Sequence, residues 1–303
     1  MRVIISGLPY FGKDLSQKLG NAYPESSFIF LNTYYSKWDQ FRFLFLVPFA
    51  DLVISMNGVT DRSGSLNWVL LWKKKLLMQW QGTDVLLAME RFKNGTLETK
   101  YIHHATHFAD SDWLEDELKS VGLRPFRQTF KCIEPIERVE EYKQIKAMTY
   151  IAEKRKDFYG FKYLTHLAQH FPSIEFTVCG MEKPQDYVPE NIHFLGWVNR
   201  TVFTEELREH AIFLRLTEHD GYPVSVIEAM SAGAEILMTL PDDNVLLCKT
   251  IEQAVEQFGV AMQRIQDRNF KPRHDIAEKT NEIYSAEKIL TSYYNKIKSL
   301  VQS

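Results

Sequence analysis

The sequence predicts an α/β protein with two parallel, doubly wound sheets. Three observations carry this expectation. Short apolar runs alternate with helical patterns in both halves of the chain. The alternation stops at the charged segment Glu134-Pro-Ile-Glu-Arg-Val-Glu-Glu-Tyr142 and then starts afresh. Finally, 303 residues with 45% hydrophobic content are enough for two medium-sized cores.

In the first half, residues 2–6, 27–31, 52–55 and 76–80 read as strands, and 13–19, 38–46, 66–74 and 111–121 as helices. The last helix opens on acids at Asp112 and closes toward Lys119, in line with the helix dipole, and Gly122 stops it. In the second half, 148–152, 174–179, 192–195, 212–216 and 236–239 read as strands, and 161–170, 201–210, 223–232 and 250–265 as helices. Segment 285–301 is an amphipathic helix with Ile289, Tyr293, Ile297 and Leu300 on one side. Two Rossmann-like domains are the expected result. Ligands of such sheets bind beyond the carboxyl ends of the strands.

Bulk properties exclude several classes. A net charge of −3 provides no basic field for nucleic acid. Cys132, Cys179 and Cys248 match neither a disulfide framework nor a zinc spacing, which favours a reducing cytoplasm. No apolar run is long enough to span a membrane, and the first apolar run is too short for a signal peptide. Without secretion, the acceptor triplets at Asn94 and Asn199 are chance matches.

The most informative stretch is Leu214-Arg-Leu-Thr-Glu-His-Asp220-Gly-Tyr-Pro-Val-Ser-Val-Ile-Glu228-Ala-Met-Ser-Ala-Gly233. A strand runs into a turn, and the turn opens a helix. Gly221 permits the turn, and Pro223 suits the first helical position. The amides of Val224, Ser225 and Val226 then form an anion site. Glu228 can accept from two adjacent ribose hydroxyls, and Asp220 can do the same for a sugar. The bland alternative is a solvated helix face at Ser225, Glu228 and Ser231 behind a turn aspartate.

This stretch resembles the donor signature of glycosyltransferase family four, Ser-x-x-Glu-Gly-Phe-Pro-x-x-x-x-Glu-Ala-Met-Ala-x-Gly. Thr217, Asp220, Gly221, Tyr222, Pro223, Glu228, Ala229, Met230, Ser231 and Gly233 fill the corresponding places. The resemblance implies the GT-B fold, with two Rossmann-like domains whose parallel sheets face across a cleft. It implies a first, acceptor-side domain over 1–140, joined by a closing helix at 284–303, and a donor domain over 141–283. It places Glu228 on the ribose and Asp220 near the donor sugar, with Gly221 and Tyr222 beside it. The family usually has Glu where Asp220 stands, and Pro-Val where Ala234-Glu235 stands.

The cations Lys154, Arg155 and Lys156 follow a strand end, as diphosphate binding requires, although a solvated basic loop has the same composition. The family has Gly-Arg and then Lys-Gly here. Lys154 falls at the Arg and Tyr159 at the Lys, and a one-residue slip would bring in Arg155. Gly160 and Phe161 match. Trp80-Gln81-Gly82-Thr83-Asp84 is similar to the family's Trp-His-Gly-x-Asp turn, which makes Gln81, Gly82, Thr83 and Asp84 acceptor-side candidates together with Gly7. Asp220 and Gln81 are the catalytic candidates.

A rival reading starts from Gly7-Leu-Pro-Tyr-Phe-Gly-Lys-Asp14, which almost spells a P-loop and would make an ATP-dependent kinase. Asp14 stands where a hydroxyl should bind magnesium, and Pro9 lacks an N–H. His103, His104 and His107, and the pair His166 and His170, do not make a metal site by pattern. The aromatic and basic segments 34–45 and 68–77 read as core helices with a solvated Lys73–Lys75 end; the alternative is a surface touching anionic lipid.

The resulting expectation is a metal-independent, retaining hexosyltransferase. It would use a UDP- or GDP-sugar as co-substrate and a glycan or lipid-linked glycan as acceptor, with no bound cofactor. It would be cytoplasmic, with peripheral contact at the inner membrane face left open. A catalytically inactive scaffold of the same fold is the alternative, prompted by Asp220, Tyr159 and Gln81.

Overall fold

The computed structural model describes residues 1–303 apart from position 186. It divides into two compact units, Met1–Lys131 with Glu287–Ser303, and Cys132–Ala286.

The first unit runs β1 (Arg2–Gly7), α1 (Pro9–Ala22), β2 (Ser27–Leu31), α2 (Lys37–Leu46), β3 (Leu52–Met56), α3 (Gly64–Leu71), β4 (Lys75–Trp80), α4 (Thr83–Lys93), α5 (Thr99–Ile102), β5 (Ala105–Ala109), α6 (Asp112–Ser120) and β6 (Phe126–Arg127). The second runs β7 (Lys146–Tyr150), α7 (Phe161–His170), β8 (Glu175–Cys179), β9 (Ile192–Gly196), α8 (Arg200–Glu209), β10 (Ile212–Arg215), α9 (Val224–Ser231), β11 (Glu235–Met238), β12 (Leu246–Leu247), α10 (Ile251–Asp267) and α11 (His274–Ile283). The closing helix α12 (Ala286–Gln302) falls, from Glu287 on, in the first unit.

Among the described residues each unit holds a six-stranded parallel sheet, ordered β2-β1-β3-β4-β5-β6 and β12-β11-β10-β7-β8-β9. The central strands β3, β10 and β11 are buried along their whole length, as strands covered on both faces must be. Strand order reverses between β1 and β3 in the first sheet and between β7 and β10 in the second. In doubly wound sheets, the carboxyl ends of the strands at such a reversal are where ligands bind.

The core of the first unit gathers Ile4, Val53, Met78 and Trp80. On α12, Tyr293 and Ile297 are fully enclosed, and the Tyr293 ring meets Phe108 edge-on at 5.7 Å. Lys75 Nζ donates to the Leu300 and Val301 carbonyls at 2.7 and 3.0 Å, a cation on the open end of that helix. In the second unit Phe176 and Phe258 stack at 5.5 Å.

Several elements differ from the sequence expectation. Helix α1 starts at Pro9 rather than residue 13. Strand β5 hides behind a histidine. His107 is buried, accepts from Trp80 Nε1 at 3.1 Å on Nδ1, and donates from Nε2 to the Ile102 carbonyl at 3.0 Å. Burial holds its pKa down at about 4. The unfolded chain therefore takes up a proton near pH 6.5 that the folded chain refuses until about pH 4. Stability is expected to fall by about 3 kcal/mol from this group as pH drops through that window. The check is urea midpoints at pH 7 and 5 for the native chain and His107→Asn. A native slope no steeper than the variant's removes His107 as the cause.

The start of β11 carries a buried charge. Glu235, fully enclosed, has Arg268 Nη2 at 2.7 Å, Arg273 Nη1 at 3.3 Å and Arg264 Nη1 at 3.8 Å. The Arg268 contact lies off the hydrogen-bond direction, so it acts through charge alone. Arg273 also donates to the Asn244 carbonyl at 3.1 Å. This cage explains why a carboxylate is tolerated where the resembling family has valine.

Candidate functional site

In the second unit the sheet reverses between β7 and β10, and the last residue of β10 is Arg215. Its guanidinium is almost completely buried. It donates from Nε to Asp220 Oδ2 at 3.0 Å, from Nη2 to the same oxygen, and from Nη1 to the Tyr150 carbonyl at 3.3 Å. It also lies 5.0 Å from the Tyr159 ring centre and 5.9 Å from that of Tyr150. A buried cation persists only when paired, and aromatic faces add to the pairing. Tyr159 thus stands where the family has Lys, and the guanidinium of Arg215 occupies the space beside it.

The loop before α7 is clipped to the loop after β10. Gly160 adopts φ +83°, and a Cβ there would be driven into the Leu216 carbonyl oxygen. The Glu218 amide donates to the Phe158 carbonyl at 2.9 Å. The two stretches singled out from sequence therefore meet beside the reversal between β7 and β10. Lys154 and Arg155 lie exposed on a short 3-10 turn, with Arg155 stacked 3.9 Å over Phe158.

Pro223 keeps extended angles (φ −72°, ψ 132°) and caps α9 instead of forming its first residue. Its carbonyl already takes the Val226 amide at 3.1 Å. The amides at this helix start that could face an anion are thus Val224 and Ser225, two rather than three. Gly221 is buried in the turn. The resemblance puts Tyr222 beside the donor sugar, but its side chain turns inward. It is enclosed, its hydroxyl donates to Asp242 Oδ2 at 2.9 Å, and its ring packs 5.8 Å from Tyr284. Burial pushes its pKa up, so it is a neutral anchor for the turn. Glu228 is 5% exposed, and its Oε1 lies 2.7 Å from Nη2 of Arg200, a half-exposed residue at the start of α8.

In the first unit, Gly7 and Trp80 end β1 and β4. Gln81 follows, and neither polar atom of its buried amide group has a hydrogen-bond partner among the described residues. The Oδ1 of Asn57, just past β3, is likewise buried without a partner. Asn57 escaped the sequence reading because nothing local marks the residue after a strand. Asp84 proves to be internal. Its carboxylate accepts from the amides of Gly58 (2.6 Å), Gly82 (2.8 Å), Gln81 (3.0 Å) and Val85 (3.1 Å). Burial pushes its pKa up while the first three of these amides pull it down. Asp84 therefore shapes the turn, leaving Gln81, Gly82 and exposed Thr83 as the residues around it.

The kinase reading fails on geometry. Pro9–Gly12 is wound into the first turn of α1, with Gly12 N donating to the Leu8 carbonyl at 2.9 Å, so no open loop exists to cradle phosphate. Asp14 pairs with Lys18 at 2.8 Å. The histidines are dispersed: His104 bonds to the Lys74 carbonyl and His166 to the Lys162 carbonyl. Asp110-Ser111-Asp112 has the spacing of a metal-binding Asp-x-Asp, but Asp110 pairs with Lys131, Ser111 caps α6 and Asp112 pairs with Arg127. Among the described residues there is no group of three His, Cys, Asp or Glu able to hold a metal.

No family model matches the chain, and no curated protein matches it. Solved structures do. Sucrose-phosphate synthase from Thermosynechococcus elongatus superposes with TM-score 0.70 at 12% identity, covering 99% of both chains. Anabaena HepE, in complex with UDP and glucose, gives 0.68 at 9%, covering 99% of this chain and all of its own. The pneumococcal O-GlcNAc transferase GtfA, with UDP and GlcNAc, gives 0.60 at 10% over 83% of this chain, which spans 57% of GtfA's length. A UDP-GlcNAc 2-epimerase from Neisseria meningitidis also matches, at 0.55 and 11% over the full length of both. The two six-stranded parallel sheets and these superpositions together establish the GT-B fold for this chain.

Proposed function

We propose that the chain is a glycosyltransferase that moves a hexosyl group from a nucleoside-diphosphate sugar to a hydroxyl of a glycan or lipid-linked glycan, with retention of configuration. The observation that carries this is the convergence at one strand reversal of Arg215, Asp220, the open end of α9 and the family-four signature. UDP in HepE and GtfA favours a UDP-sugar.

In this reading the second unit binds the donor. Val224, Ser225 and Arg215 hold the diphosphate, with Lys154 and Arg155 at its edge. The bond from the anomeric carbon to the diphosphate oxygen breaks, and the electron pair goes to that oxygen. Preplaced amides and a guanidinium stabilise the developing charge without reorganising. The acceptor oxygen forms the new bond on the same face of the sugar, and its proton passes to the departing diphosphate oxygen. Asp220, oriented by Arg215, faces the sugar, and Gly7, Gln81, Gly82 and Thr83 of the first unit serve the acceptor. No metal, nucleic acid or bound cofactor enters this scheme, and the setting is the cytoplasm.

Glu228 is assigned to the ribose, with half-exposed Arg200 giving way or bridging. Glu228→Gln is expected to weaken UDP binding by about 1–3 kcal/mol, the scale of a hydrogen bond to a charged group. Calorimetry checks this, and unchanged affinity takes Glu228 out of the site. The whole reading is tested by thermal shifts with UDP, GDP, ADP and CDP, followed by hydrolysis of the matching sugar donors. The expected result is a UDP-dependent rise in Tm and slow donor hydrolysis. A rise without turnover, with or without candidate acceptors, leaves an inactive binding protein. No rise with any nucleotide overturns the donor site.

A further inference from the structure

We propose that the first unit docks on an anionic lipid bilayer through the aromatic face of α2 and α3. The sequence favours core helices here, and the structure shows otherwise. Among the described residues α2 buries Phe43, and α3 buries Leu66 and Val69. Trp38 (66% exposed), Phe41 (50%) and Phe45 (59%) lie at helical spacing on the outside of α2. Their rings form a continuous row, Trp38 to Phe41 at 5.8 Å and Phe41 to Phe45 at 4.7 Å. Helix α3 packs beside α2 and adds Trp68, Leu71 (66%) and, at its end, Trp72 (49%). Phe49, just past α2, is also exposed. Single exposed apolar side chains are ordinary on a protein surface, whereas a contiguous group of them marks a contact surface.

Charge selects the occupant. Residues 34–74 hold five basic side chains and three acidic ones, in a chain whose net charge is −3. Asp39, the acid within α2, is taken up by Arg42 at 3.0 Å and by the Asn32 amide at 3.0 Å. Lys37 stands at the start of α2, and Lys73 and Lys74 follow α3. An aromatic face rimmed by cations is what interfacial helices present to anionic headgroups, with rings at the acyl boundary. Each cation near such a surface adds attraction to the anionic headgroups. No described helix is long and apolar enough to cross a bilayer.

This docking does not depend on the sugar-transfer reading. The test is co-sedimentation of the full chain with vesicles of phosphatidylglycerol and phosphatidylethanolamine, beside vesicles of phosphatidylcholine alone. Binding is expected on the anionic vesicles, with a blue shift of tryptophan emission. It should fall at least tenfold in the triple variant Trp38→Ser, Phe41→Ser, Phe45→Ser, and severalfold in the pair Lys73→Glu, Lys74→Glu. The substituted side chains are exposed, Lys74 only partly, and an unchanged Tm confirms folding. Equal binding by the triple variant overturns the proposal, as does the absence of binding to anionic vesicles. A concentration-dependent dimer that the triple variant abolishes, without vesicle binding, assigns the face to a second copy instead. The UDP thermal shift is read on the same samples, so failure of the donor site and failure of docking remain separate results.

Discussion

Glu235→Val, which installs the residue of the resembling family, is expected to destabilise the second unit by about 3 kcal/mol. The carboxylate is fully enclosed among Arg264, Arg268 and Arg273. Removing it leaves cations crowded around an apolar side chain. The lower end of the usual range applies because Arg264 and Arg268 are partly exposed and can turn to water. At about 2–4 °C per kcal/mol for a unit of this size, the transition should move by roughly 6–12 °C. Chemical denaturation followed by a probe in the second unit measures it. Adding Arg268→Leu and Arg273→Leu to the Glu235→Val variant should recover part of the loss, because charge and countercharge are then removed together. An unchanged midpoint in the single variant would show that water already solvates the arginines.

Arg215→Lys is expected to lower kcat/KM by about 100-fold, the scale of one lost preorganised donor at a developing charge. Lysine keeps the charge but cannot hold Asp220 and the Tyr150 carbonyl at once, and it lacks the planar surface that meets Tyr159. The informative comparison is UDP against uridine. If the guanidinium contacts the diphosphate, UDP affinity falls while uridine affinity stays. A parallel loss of both would reduce Arg215 to a support for the loops. A double-mutant cycle with Asp220→Asn then separates its ion pair from its effect on phosphate.

What the sequence disclosed follows the range of the interactions. The turn at Gly221 and Pro223 and the start of α9 are legible because a helix start is encoded by adjacent residues. Arg215 is not, because its role depends on β7 lying beside β10, about sixty residues away along the chain. The clue available was a lone arginine in the apolar run Ile212-Phe-Leu-Arg-Leu, since a buried cation requires a partner. Asp84 and Tyr222 read as ligand-facing because their partners, Gly58 and Asp242, are about twenty residues distant or more. Helix α2 misleads for another reason. Its apolar residues run all around it, so periodicity marks no inner face and cannot say which aromatics meet water. Strand β5 shows the converse: a buried histidine breaks the apolar pattern, and the strand goes unread.

The assignment of α12 to the first unit bears on the order in which the chain folds during synthesis. Residues 1–131 emerge first, yet their sheet lacks the wall that Tyr293 and Ile297 complete until the last segment is made. The second unit, continuous from Cys132 to Ala286, has all its parts earlier. The segment translated second is thus the first that can finish folding, while the first waits, partly open, for its final helix. A chain stopped near residue 286 should carry a finished second unit beside an incomplete first one, which limited proteolysis would cut preferentially.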